Sequence, residues 1–134
     1  MAFSHGKDAV FKLHDGSSGL VDLTCYLDNV DQSKTADTHE ATTFCDDDKT
    51  YLAGLRDGNL SLSGKFDPTS DALLDGAVGQ VRAYEYYPAG EGGGKVKYSG
   101  DVIVTEYGLS SPVGDLNTNS ASLQVTGGIT RSIV

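Results

Sequence analysis

Hydrophobic and polar positions alternate most regularly near the end of the chain. Thr118, Ser120, Ser122, Gln124, Thr126 and Thr130 fall on one face, and Ala121, Leu123, Val125 and Ile129 on the other. A period of two over this length predicts a strand with one buried face. Tyr98 onward reads as its partner, with Ser110-Ser111-Pro112-Val113-Gly114-Asp115 as the turn, so a terminal hairpin is expected over about 96–131. The outer row is rich in hydroxyls and nearly free of charge, which suits a smooth or paired surface.

Weaker versions of the same pattern recur upstream. Asp8 to His14 and Leu20 to Leu27 read as an opening hairpin around Asp15-Gly16-Ser17-Ser18-Gly19. Tyr51 to Leu55 is apolar, Arg56-Asp57-Gly58-Asn59 reads as a turn, and Leu60, Leu62 and Phe66 then alternate with Ser61, Ser63 and Lys65. Asp67 stands where a helix would be capped, with an apolar-faced helix expected over about 70–78 and Gly79 to close it. Gln80 to Tyr87 is an aromatic-rich strand, and Pro88 to Gly94 a loop. Residues 28–48 show neither period and read as a long polar loop, a feature that compact domains reserve for binding or assembly. The sum is an all-β chain with one helix, an antiparallel β-sandwich or barrel in a single domain over 1–134.

Composition supports this and removes several functions. The chain has 134 residues, 17 Gly, three Pro and no Trp, enough to bury roughly two-thirds of its unfolded surface. Its net charge of −9 opposes nucleic-acid binding, because phosphate affinity rests on clustered Lys and Arg and the ten here are scattered. No apolar run approaches the ~20 residues of a membrane span, and no signal-peptide core is visible, so an unsecreted soluble chain with free Cys25 and Cys45 is expected.

Candidate chemistry fails at the level of spacing. Ala89 stands where a phosphate loop needs its first Gly, and Val96 where it needs a hydroxyl, so Ala89 to Lys95 reads as a hairpin tip. Asp46-Asp47-Asp48 lacks the alternation and distal Glu of a calcium loop. Neither Cys has zinc-ligand neighbours, and His5, His14 and His39 are scattered. No catalytic residue, metal or cofactor is assigned. Tyr84, Tyr86, Tyr87, Tyr98 and Tyr107 are expected to pack within or between strands.

Several of these segments together carry a family likeness. Asp37-Thr38-x-Glu40-x-Thr42, Lys49-Thr50-Tyr51-x-x-Gly54-Leu55-x-Asp57, Leu60-Ser61-Leu62-Ser63-Gly64 and Ser110-Ser111-Pro112-Val113-Gly114-Asp115, followed by the Ser-Ala-Ser strand and Thr126-Gly127, resemble the major tail tube proteins of long-tailed (siphovirus-type) bacteriophages. They cover about half the chain. Cys45 departs from the pattern by standing where a Gly is expected before Asp46.

The resemblance implies a non-enzymatic β-sandwich subunit that builds hexameric rings, stacked into the tube through which the genome leaves the capsid. It places the protein in the virion tail after synthesis in the host cytoplasm. Its partners would be further copies of itself and the tape-measure, tail-tip and terminator proteins, with double-stranded DNA passing unbound and no membrane contact. Within the loop, Asp37, Thr38, His39, Glu40, Thr42, Thr43 and Phe44 would reach the neighbouring subunit or ring. Asp101, Glu106 and Asp115 are candidates to face the lumen, where acidic groups repel DNA within a Debye length of about 8 Å. A carbohydrate-binding or adhesin-type module, a small hydrolase, a tail terminator or completion protein and a contractile or secretion-type tube subunit remain alternatives.

Overall fold

A computed structural model describes residues 3, 5–17 and 19–134; Met1, Ala2, Ser4 and the expected turn residue Ser18 lie outside the described residues. The strands are β1 (Val10–His14), β2 (Leu20–Asp22), β3 (Leu27–Glu40), β4 (Tyr51–Lys65), β5 (Val81–Tyr87), β6 (Val96–Ser110) and β7 (Thr118–Ile133), with a helix α1 (Pro68–Ala77) between β4 and β5. All pair antiparallel in one sheet of order β2-β1-β5-β6-β7-β4-β3.

The sheet curls around its own core. Tyr84 on β5 donates its hydroxyl to Gln32 Oε1 on β3 at 3.0 Å, although three strands separate them in the sheet. Phe11, Leu13, Tyr84, Val102, Val104, Leu60, Leu62, Ala121, Leu123 and Val125 fill the concave side. Phe11 and Tyr84 stack at 6.1 Å. Burial of Tyr84 pushes its hydroxyl pKa up to about 12.

The helix closes one end of this core. The Asp67 carboxylate accepts the Thr69 amide at 2.8 Å, Pro68 occupies the first turn, and Leu74 and Ala77 are buried. Gly79, at φ +78°, lets the chain reverse so that its amide reaches Val104 O at 2.9 Å. The Tyr107 hydroxyl donates to Asp71 Oδ1 at 2.6 Å and anchors the helix to β6.

Three expected boundaries change. The stretch expected as a loop over 28–48 is mostly β3, and only Ala41 to Thr50 joins it to β4. Its period was invisible because β3 is an edge strand: Leu27, Val30 and Gln32 are half-buried, and every residue from Ser33 to Glu40 is exposed. Second, Arg56 to Asn59 is no turn but part of the continuous β4, where Asp57 and Gly58 pair with Thr35 and Lys34. Gly58 is needed there for closeness rather than for turning, since a Cβ would stand 2.7 Å from Ile129 Cδ1. Third, the strand expected over Leu20 to Leu27 stops at Asp22. Asp22 Oδ1 accepts the Thr24 amide at 2.9 Å and opens a 3-10 turn, Thr24–Tyr26, which leads from buried Leu23 into β3.

Candidate assembly surface

The sheet forks. β4 pairs with β7 only from Asn59 to Lys65 against Thr118 to Gln124; beyond that, β4 stays with β3 while β7 stays with β6. Gln124 ties the point of division. Its Nε2 donates to Asp57 Oδ1 at 2.6 Å, to Gly58 O at 3.0 Å and to Val125 O at 3.3 Å. A side-chain amide thus serves backbone carbonyls where strand pairing ends, as buried or half-buried acceptors require.

Past the fork, the outer halves of β3 and β4 form a two-stranded arm. Tyr51, Leu52 and Leu55 are exposed on it, Leu55 to 83%. A bulge in β4, where Gly54 and Leu55 together oppose Asp37, shifts the register between Ala36 and Thr38, and Gly54 leaves room for His39, whose Nε2 would stand 2.9 Å from a Cβ there. The tip closes on itself. Ala41 N reaches Thr50 O at 2.8 Å, Thr50 N reaches Thr42 Oγ1 at 2.9 Å, and Asp46 Oδ2 accepts the Thr43 amide at 2.8 Å. Cys45 is accommodated without a positive φ, so the expected Gly is unnecessary here. Phe44 stands fully in solvent.

The structure therefore gathers the expected contact residues on one arm: Asp37, Thr38, His39 and Glu40 in β3, and Thr42, Thr43 and Phe44 in the tip. It adds Tyr51 and Leu52, opposite Glu40 and His39, together with Leu55. Their apolar run was readable in the sequence, but it read as an ordinary strand lead-in with nothing to show that it would remain uncovered.

The acidic candidates separate into two groups. Asp101 pairs with Thr126 and Glu106 with Ser122, so both are exposed on the convex face that carries the row Ser120, Ser122, Thr126 and the β4 residues Ser61 and Ser63. Asp115 lies in the β6–β7 turn, where its carboxylate accepts the Leu116 amide at 2.7 Å. At the other margin of that face, Lys12 and Lys97 lie 5.5 and 5.8 Å from the Tyr87 ring. Burial and a hydrogen bond to Glu85 push Tyr87 up to about 12. Among the described residues, no group of three His, Cys, Asp or Glu could hold a metal ion. Cys25 and Cys45 are exposed free thiols. Among the described residues, no helix is long and apolar enough to cross a membrane.

A rigid curled sheet carrying an uncovered apolar arm defines a structural subunit made to meet other chains. The particular family follows from sequence: residues 4–131 match the profile of the phage tail tube protein family, and the chain belongs to it. The role is therefore that of a tube-forming structural protein of the virion tail. No curated protein matches the chain in sequence. Solved structures of similar fold include a chain of the native gene transfer agent virion, at TM-score 0.82 and 18% identity over 97% of this chain and 99% of that one. A chain from the tail of an empty gene transfer agent particle, refined with C6 symmetry, gives 0.79 and 18% over the same shares. The SPP1 tail tube gives 0.75 and 13% over 98% of this chain and 80% of that one.

Proposed function

We propose that six copies of this chain close into a ring, that rings stack into a tube, and that the phage genome leaves the capsid through it. The observation that carries this reading is the arm. An isolated two-stranded ribbon is marginal in water, yet here it presents Phe44, Tyr51, Leu52 and Leu55 to solvent in the single chain. Asp37, Thr38, His39, Glu40, Thr42, Thr43 and Phe44 would contact a neighbouring subunit or ring, and assembly would cover the apolar positions beside them. The C6 symmetry of the similar gene transfer agent tail supports the ring order.

The convex face supplies the lumen in this reading. Its short hydroxyl side chains offer DNA little to grip, and Asp101 and Glu106 stand among them. Asp115, at the turn, would border the ring's rim. Synthesis in the host cytoplasm and contacts with tape-measure, tail-tip and terminator proteins complete the role. Electron microscopy of purified protein tests it directly: sixfold rings stacked around a central channel are expected, and dispersed monomers even beside assembled tail tips would sink it. Asp101→Lys with Glu106→Lys should leave tubes intact while slowing or stalling ejection; normal ejection would remove these carboxylates from the lumen.

A further inference from the structure

We infer that the tip of the arm seats in a groove on a second copy of the chain, with Phe44 as the inserted side chain. This rests on the tube reading and specifies its receiving surface. The groove, of about 620 Å³, opens between the segment before β1, the start of β3 and the end of β5, and its walls include Lys7, Val10, Leu27, Val30, Tyr86 and Pro88. Its volume has room for an aromatic ring. At ~3.3 Å per residue, the stretch from Ser33 to Glu40 carries the tip roughly 25 Å from the fork, toward another molecule rather than its own core.

Charge selects the occupant. The groove holds two charged residues, but Asp28 is compensated by Lys65 at 3.4 Å and by the Ser63 hydroxyl at 3.2 Å. Lys7 has no ion-pair partner among the described residues, which leaves the groove with an unspent positive charge. The tip offers the complement: directly after Phe44 and Cys45 come Asp46, Asp47 and Asp48, against a single Lys49. An apolar knob followed by carboxylates fits a groove of mixed lining, in which Val10, Leu27, Val30 and Pro88 can meet the ring, Thr24 and Asn29 are polar, and the Lys7 ammonium can meet the carboxylates.

The chain also contains its own reporter. Cys45 adjoins Phe44, and Cys25 adjoins Thr24, which lines the groove; both thiols are exposed, and they are the chain's two cysteines. Seating Phe44 brings Cys45 of one copy beside Cys25 of the next. Assembled full-length protein treated with a short bis-maleimide should therefore give a ladder of linked copies on a denaturing gel, and Cys25→Ser or Cys45→Ser should each abolish it. Phe44→Ala should raise the protein concentration needed for tubes about tenfold. Lys7→Glu should raise it several-fold, with recovery on adding Asp47→Lys and Asp48→Lys.

Well-formed wild-type tubes without linkage, or linkage that survives either serine variant, would overturn the seat while leaving the tube reading intact. Unchanged assembly by Phe44→Ala would give the groove to another occupant, such as the chain's own exposed Phe3, and would overturn it equally. Wild-type protein that never forms tubes would remove the tube reading and the seat together.

Discussion

Strands β3 and β7 are of similar length, 14 and 16 residues, and belong to the same sheet, yet they carry opposite kinds of pattern. Along β7 the inward positions Ala121, Leu123 and Val125 are buried, with exposed or half-buried residues between them. Along the outer half of β3 nothing is buried at all. The backbone is equally extended in both; what differs is whether another layer of the same chain lies beneath. Alternation in a sequence reports a one-sided core rather than a strand as such. A long strand without it marks a place where the covering layer has to come from elsewhere.

The sharpest test sets Leu123 against Leu55. Leu123→Ala opens a cavity under a fully buried side chain and should cost about 2–5 kcal/mol in urea unfolding of the isolated subunit. Alkaline pH should act on the same core. Tyr84, Tyr87 and Tyr107 are all held at about 12 mainly by burial, above the ordinary value of 10.0. Between those values the unfolded chain loses protons that the folded chain keeps, so stability is full below pH 10 and falls as the pH rises toward 12. Unfolding midpoints that stay constant across this window would contradict the burial of these rings.

Gln124→Ala should cost about 1 kcal/mol, because the Gly58 and Val125 carbonyls lose a donor at the fork. Faster amide exchange in the arm than in the Asn59 to Lys65 pairing would be its local signature. The smallest effect belongs to the arm itself: Leu55→Ser should change subunit stability by less than about 0.5 kcal/mol while impairing tube formation. A large loss of subunit stability would mean that the arm is already packed within the single chain.

This contrast also explains what could be read from the residues alone. The terminal hairpin, the capped helix and the aromatic β5 were legible because each touches the core, and each carries the matching periodicity or capping residue. β3 was not legible, since its ladder is satisfied by β4 while both its faces look outward past Ser33. The supposed turn at Arg56 to Asn59 misled for a related reason. Asp-Gly normally signals a reversal, but here Gly58 makes room for Ile129 and Asp57 holds Gln124. Of the assembly surface, the missing period marked only a long polar segment, and the individual polar residues of the arm were named through the family resemblance. The apolar side chains opposite them needed the hairpin register, and the groove needed three separated segments to be brought together.

The fork has a kinetic consequence. The β3–β4 and β6–β7 hairpins are each closed by a short connection, so their contacts form at low loop-closure cost. Their backbones pair with one another along Asn59 to Lys65 and Thr118 to Gln124, residues more than fifty positions apart. Folding should therefore produce the two ribbons early and zip them together late, from the Lys65 end upward, with Gln124 as the last latch. Variants of Gln124 should then accelerate unfolding far more than they slow folding.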